Sequence, residues 1–232
     1  TFWSETDLSG DIMKYFERAG NRGCERATGM WNPNRPEKNA AVFKGKFITI
    51  AQLFNLRLGH HVFDWGAGCG HQIDLLAEER GFNASAHDLV ASNVEWGRKN
   101  MKHINSFCQS SGLTLPFPAN TFDAVLSNAA LYHLRDPHAQ CEVLRDVLRV
   151  LRPGGCAWFG INGVYDGSLG PPSEFWTRAD GCFGSEPSVT IATFLEEAGF
   201  GVFEDSKPPW LAHENVDPYS IVFCKTQAGR ME

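Results

Sequence analysis

The chain lacks most features that would place it in a special class at a glance. It has no CxxC pair, although it holds seven cysteines: Cys24, Cys69, Cys108, Cys141, Cys156, Cys182 and Cys224. An odd count without paired spacing argues against a disulfide framework or a structural zinc site. The expectation is buried free thiols in a reducing, cytoplasmic setting, with Cys69 as a small filler residue. No apolar run approaches the roughly 20 residues of a membrane helix, and no signal-peptide pattern is visible. There is no basic excess either. Lys and Arg number 21 against 27 Asp and Glu, a net charge of -6. That balance argues against the positive footprint of a nonspecific nucleic-acid binder. The densest basic cluster, Arg98, Lys99, Lys102 and His103, reads as a solvated helix face. Internal repeats and low-complexity tracts are missing. His60, His61, His87 and His138 lack acid or cysteine partners at ligand spacing, so no metal is expected.

What remains is a chain of 232 residues, long enough for one domain with a sizeable core. Residues 1–42 are polar and irregular and read as an extension or lid; residues 43–232 read as a single domain. Phe43, Phe47, Ile50, Ala51, Phe54 and Leu58 share a helical face that Gly59 ends. Short strands are expected at 61–65, 84–88, 104–108, 122–127 and 156–161, with helices between them. The helix opened by Asp136-Pro137 has the plainest signals, an N-cap and a first-position proline. Its expected stripe is Val143, Leu144, Val147, Leu148 and Leu151, broken by Pro153-Gly154-Gly155. Ile191, Phe194, Leu195 and Ala198 predict one more helix, followed by apolar runs at 201–204 and 219–224. Alternating strands and helices imply an α/β fold with a doubly wound, mostly parallel sheet. Ligands in such sheets bind outside the carboxyl ends of the strands. That edge gathers the segment from Asp64 to Gly70 with Asp88, Ser111, Asn128 and Asn162.

The stretch "DWGAGCG", Asp64 to Gly70, decides between guests. Gly66 and Gly68 fit a dinucleotide fingerprint, but its third small residue is replaced by His71. Asp64, two residues before the first glycine, would repel a pyrophosphate and welcome an ammonium or sulfonium. This pattern resembles the first motif of class I S-adenosylmethionine-dependent methyltransferases. Asp88, closing "ASAHDLV", matches that family's acid for the ribose hydroxyls. "LPFPANTFDAVLSNAALYHL" (Leu115 to Leu134), "VLRVLRPGGCAWFG" (Val147 to Gly160) and "FLEEAGF" (Phe194 to Phe200) are similar to its later motifs. The resemblance covers roughly residues 47–225. It implies a Rossmann-like sheet of seven strands with the last antiparallel. It also implies S-adenosylmethionine as cofactor, with S-adenosylhomocysteine as product. The cofactor-binding residues it implies are Asp64, Gly66, Ala67, Gly68, Gly70, Asp88, Leu89, Ser111, Gly112 and Asn128. Ser111 departs from the pattern, standing where the family often has an acid for the adenine amino group. Asn128 serves the methionine end or simply terminates its strand.

Tyr132 and His133, which follow the fourth strand, are the candidate catalytic residues. His133 is the candidate base where the acceptor has a proton to lose, or else a packing residue. Asn162, Tyr165, Phe175 and Trp176, together with His133, are the expected substrate-binding residues. The expected activity is methyl transfer to a small-molecule acceptor by a monomer or homodimer, without nucleic-acid or membrane partners. A noncatalytic cofactor-binding scaffold, suggested by Ser111, and a protein methyltransferase are the alternatives. A nicotinamide oxidoreductase is a third, weakened by His71.

Overall fold

Apolar residues line both sides of β1 (His61–Trp65), which makes it a central strand covered on each face. A computed structural model describes Cys24, Ile48 and residues 50–128, 130–134, 136–160, 182 and 220–225. After β1 come α1 (His71–Arg80), β2 (Asn83–Asp88), α2 (Ala91–Asn100), β3 (Ile104–Gln109) and β4 (Phe122–Asn128). A short 3-10 turn (Leu131–His133), α3 (Pro137–Val150), β5 (Leu151–Gly160) and β6 (Ser220–Cys224) complete the described elements. The sheet order is β3-β2-β1-β4-β5-β6, parallel throughout except for β6, which runs antiparallel to β5. The fold is therefore the expected α/β sheet with an antiparallel last strand. The additional strand expected at 201–204 and the helix at 191–198 lie outside the described residues, as does the 1–42 extension apart from Cys24.

Strand alternation sorts the core into two layers. Val62, Ala84, Ala86, Leu126 and Trp158 pack with Ile73, Leu76 and Val94 of α1 and α2. Phe63, Trp65, Val125 and Phe159 pack with Val143, Leu144 and Val147 of α3 on the opposite face. The strand order reverses between β1 and β4, the crevice where such sheets take ligands.

α3 begins as its sequence dictates. The Asp136 carboxylate accepts the His138 amide and Pro137 fills the first turn. Near its end, Asp146 accepts the Leu115 amide at 2.7 Å. Arg149 donates to the Leu115 and Phe117 carbonyls at 3.0 and 2.8 Å. That pair pins the loop between β3 and β4. Three boundaries differ from expectation. The helical segment before β1 ends at residue 53, and Asn55 takes a positive φ of 50°. Leu58 is consequently 81% exposed instead of packed. Leu151 opens β5 instead of closing α3, and Pro153-Gly154-Gly155 lies within β5 as an irregularity opposite β4. Backbone pairing of Gly154 and Gly155 with Lys225 supports that excursion.

Candidate functional site

The loop after β1 spends its amides on the protein itself. The Gly66 amide donates to His87 Nε2 at 3.2 Å, and the Gly68 amide to Asp88 Oδ2 at 2.8 Å. The Ala67 amide donates to the His87 carbonyl and the Gly70 amide to the Ala67 carbonyl, each at 2.9 Å. A phosphate cradle needs such donors pointing at the ligand. With four of them already satisfied, this loop is poorly suited to an anion. Gly68, at φ +58°, would aim a Cβ into open space with nothing within 4 Å. The backbone there is open to close approach by a ligand. A Cβ on Gly66 would instead meet Ala130 Cβ at 2.5 Å, which seats the loop against the segment after β4.

Two buried carboxylates face this loop. Asp64 is 2% exposed. Burial, and then the charge of Asp88, raise its pKa well above the usual carboxylate range. Asp88 accepts Gly68 through one oxygen and the Val90 amide and Asn93 Nδ2 through the other, at 2.9 and 3.2 Å. Burial still pushes it up to about 6, against the pull of those three donors. Such a pair suits a guest that brings positive charge or hydroxyl donors. It would oppose a pyrophosphate.

The remaining expected residues come to the same edge where they are described. Asn128 ends β4 with both amide atoms buried and lacking hydrogen-bond partners. A buried orphan amide on a ligand edge is a group awaiting a partner. Leu89 accepts Gln109 Nε2 on its carbonyl, and Ser110 donates its amide to the Asp88 carbonyl. Gly112 accepts Trp65 Nε1 at 3.0 Å. Ser111, at the position of the missing acid, accepts the Leu113 amide at 3.4 Å and so also serves its own turn. His133 lies in the 3-10 turn, where burial pushes it down to about 4 and keeps it neutral near pH 7. Tyr132 occupies the same turn, but its side chain lies outside the described residues. Asn162, Tyr165, Phe175 and Trp176 also lie outside them.

Sequence reading missed His87, Asn93 and Trp65 as parts of this edge. A histidine directly before the strand-ending acid was the available signal. The parallel register that sets Trp65 beside His87 was needed to read it.

The expectation of free thiols is corrected. Cys24 is bonded to Cys69, Cys141 to Cys182 and Cys156 to Cys224, leaving Cys108 as the one free cysteine. The partners are 41 to 68 residues apart in sequence and meet only through the fold. Linear spacing therefore carried no sign of them. Cys156 and Cys224, for instance, are direct register partners across β5 and β6. Cys69 is no mere filler, since it ties the glycine loop to the N-terminal segment. The free-thiol argument for a cytoplasmic, reducing setting falls with this. Among the described residues, no helix is long and apolar enough to cross a membrane.

Comparison with known proteins agrees with this geometry. Residues 63–159 match a methyltransferase-domain family. The chain is 28% identical over 233 residues to the erythromycin 3''-O-methyltransferase of Saccharopolyspora erythraea, covering 90% of this chain and 74% of that protein. It is 32% identical over 108 residues to a ubiquinone/menaquinone biosynthesis C-methyltransferase of Cronobacter sakazakii, 43% of this chain and 41% of that protein. A SAM-dependent methyltransferase structure from Aquifex aeolicus shares the fold, with a TM-score of 0.50 and 18% identity. The match covers 68% of this chain and 87% of that one.

Proposed function

We propose that this chain, a class I S-adenosylmethionine-dependent methyltransferase, transfers the methyl group of its cofactor to a small-molecule acceptor. The observation that carries the reading is the pair of buried carboxylates, Asp64 and Asp88, set around a glycine loop four of whose amides are already satisfied. Small-molecule acceptors are favoured by the named activities of the erythromycin and ubiquinone/menaquinone relatives and by the acidic balance of the chain.

The residues fit the cofactor. Asp88 would hold the ribose hydroxyls, and Asp64 would offset the positive charge of the methionine end. The orphan amide of Asn128 would find its partner at that end. Gly68 leaves room for the approach, and Leu89, Ser111 and Gly112 would border the adenine. When bound, S-adenosylmethionine supplies a methyl group already activated by the sulfonium. The protein's share is to hold donor and acceptor nearly in line and to exclude water. His133, held neutral by burial, is a weak base. It suits taking a proton from an acceptor that methylation has already made cationic, rather than deprotonating a neutral hydroxyl beforehand.

The Asp88 shift gives the site a pH signature. Hydroxyl donors bind best to the ionised carboxylate, so affinity for S-adenosylhomocysteine should climb as pH rises through about 6 and then level off. The free protein should behave oppositely. Its folded state keeps a proton that the unfolded chain releases near pH 4, so this carboxyl's stabilising contribution falls between about pH 4 and about 6. Calorimetric titrations and melting curves across that range check both signs. A flat affinity profile would remove Asp88 from the ligand.

The acceptor class is tested by incubating the protein with methyl-labelled S-adenosylmethionine and a cell extract divided into metabolite and protein fractions. Label in the metabolite fraction supports the proposal. Label confined to proteins, or no transferred label, overturns it in favour of a protein methyltransferase or a noncatalytic module.

A further inference from the structure

The buried imidazole of His87 stands between the two sides of the ligand edge. It is 2% exposed, stacked on Phe63 with ring centroids 5.6 Å apart and edge-on to Trp65 at 5.1 Å. Its Nε2 accepts the Gly66 amide at 3.2 Å, and its Nδ1 lies 3.1 Å from Ser110 Oγ. A neutral imidazole has one donor and one acceptor. Because Nε2 is the acceptor, the proton sits on Nδ1 and is given to Ser110. On the third side, Gly112 makes room for the ring, since a Cβ there would strike His87 Cε1 at 2.7 Å. The ring therefore touches the glycine loop through Gly66 and the β3-following loop through Ser110 and Gly112.

We propose that His87 is a positioning residue of the cofactor site, a neutral crossbar that fixes the glycine loop against the Ser110–Gly112 loop. The proposal rests on the cofactor reading above. One loop would serve the methionine end of the ligand and the other its adenine, so their spacing sets whether one molecule can satisfy both. Packing alone would not require histidine. A phenylalanine would keep the stack on Phe63 but leave the Gly66 amide without its acceptor. Burial, which pushes the ring down to about 3, keeps the neutral form that the crossbar needs.

The test combines two variants and one spectrum. His87→Phe, which leaves the Gly66 amide unpaired in the free protein as well, is expected to melt several degrees below the parent and to bind S-adenosylhomocysteine about tenfold more weakly, the scale of one lost buried hydrogen bond. His87→Gln, whose side-chain oxygen can reach the Gly66 amide, should recover most of that loss. In the parent, a long-range proton–nitrogen NMR spectrum should show His87 protonated on Nδ1 and bare on Nε2. Parent-like affinity in His87→Phe, a His87→Gln no better than His87→Phe, or a proton on Nε2 would each overturn the proposal. Parent protein that fails to bind S-adenosylhomocysteine would instead overturn the cofactor reading and this role with it. The spectrum, which needs no ligand, tells the two failures apart.

Discussion

Replacing Asp88 by alanine should weaken S-adenosylhomocysteine binding by about a hundredfold or more. Two hydrogen bonds from ribose hydroxyls to a charged carboxylate are worth about 1.5–3 kcal/mol each, and 1.4 kcal/mol is a factor of ten. The loss reaches beyond the ligand, because the same carboxylate gathers Gly68, Val90 and Asn93. Without it the glycine loop loses its tether to the end of β2. The free protein should lose less than this count of bonds suggests. Burying Asp88 is itself unfavourable, as its raised pKa records, and alanine removes that cost. Asp88→Asn separates the two contributions. It keeps the size of the side chain but turns one acceptor into a donor facing the Gly68 amide. A calorimetric affinity that is unchanged in Asp88→Ala would place the nucleoside elsewhere.

Removing the Cys156–Cys224 bridge should produce the largest loss of stability among the three disulfides. It closes the longest loop, with a sequence separation of 68, and loop-closure entropy for that length is about 4 kcal/mol. The paired change Cys156→Ala and Cys224→Ala should then lower the melting temperature by roughly 10 °C for a chain of this size. β6 is joined antiparallel to β5 at this point, so the weakening should begin on that side of the sheet. The premise is checked directly by alkylating the unfolded protein without reductant. One thiol, that of Cys108, should be labelled, and all seven should be labelled after reduction. Seven labelled thiols before reduction would restore the free-thiol reading and cancel the stability prediction.

The features legible in the sequence were those written in local chemistry. Asp136-Pro137 announced the start of α3 because capping and proline geometry act within one turn. The charge of Asp64 before its glycines already argued against a phosphate. The structure sharpened this by showing where the loop amides go. The parallel sheet followed from alternation alone, since parallel strands need a crossover such as a helix between them, whereas the strand order was read from the structure. What stayed hidden depended on long-range register. The cysteines pair only after β5 and β6 are aligned and α3 is in place. His87 entered the sequence reading only as a histidine without metal-ligand partners, and its place became readable once β1 and β2 set Trp65 beside it. The extra turn given to the helix before β1 was a failure of periodicity, which continued through Leu58 after the backbone had turned at Asn55.

The central claim is that this edge holds a sulfonium nucleoside and not a dinucleotide. Parallel calorimetric titrations of the full chain with S-adenosylhomocysteine and with NAD test it most directly. Saturable binding of S-adenosylhomocysteine, with no heat of binding for NAD, is the predicted result. Saturable binding of NAD alone would contradict it.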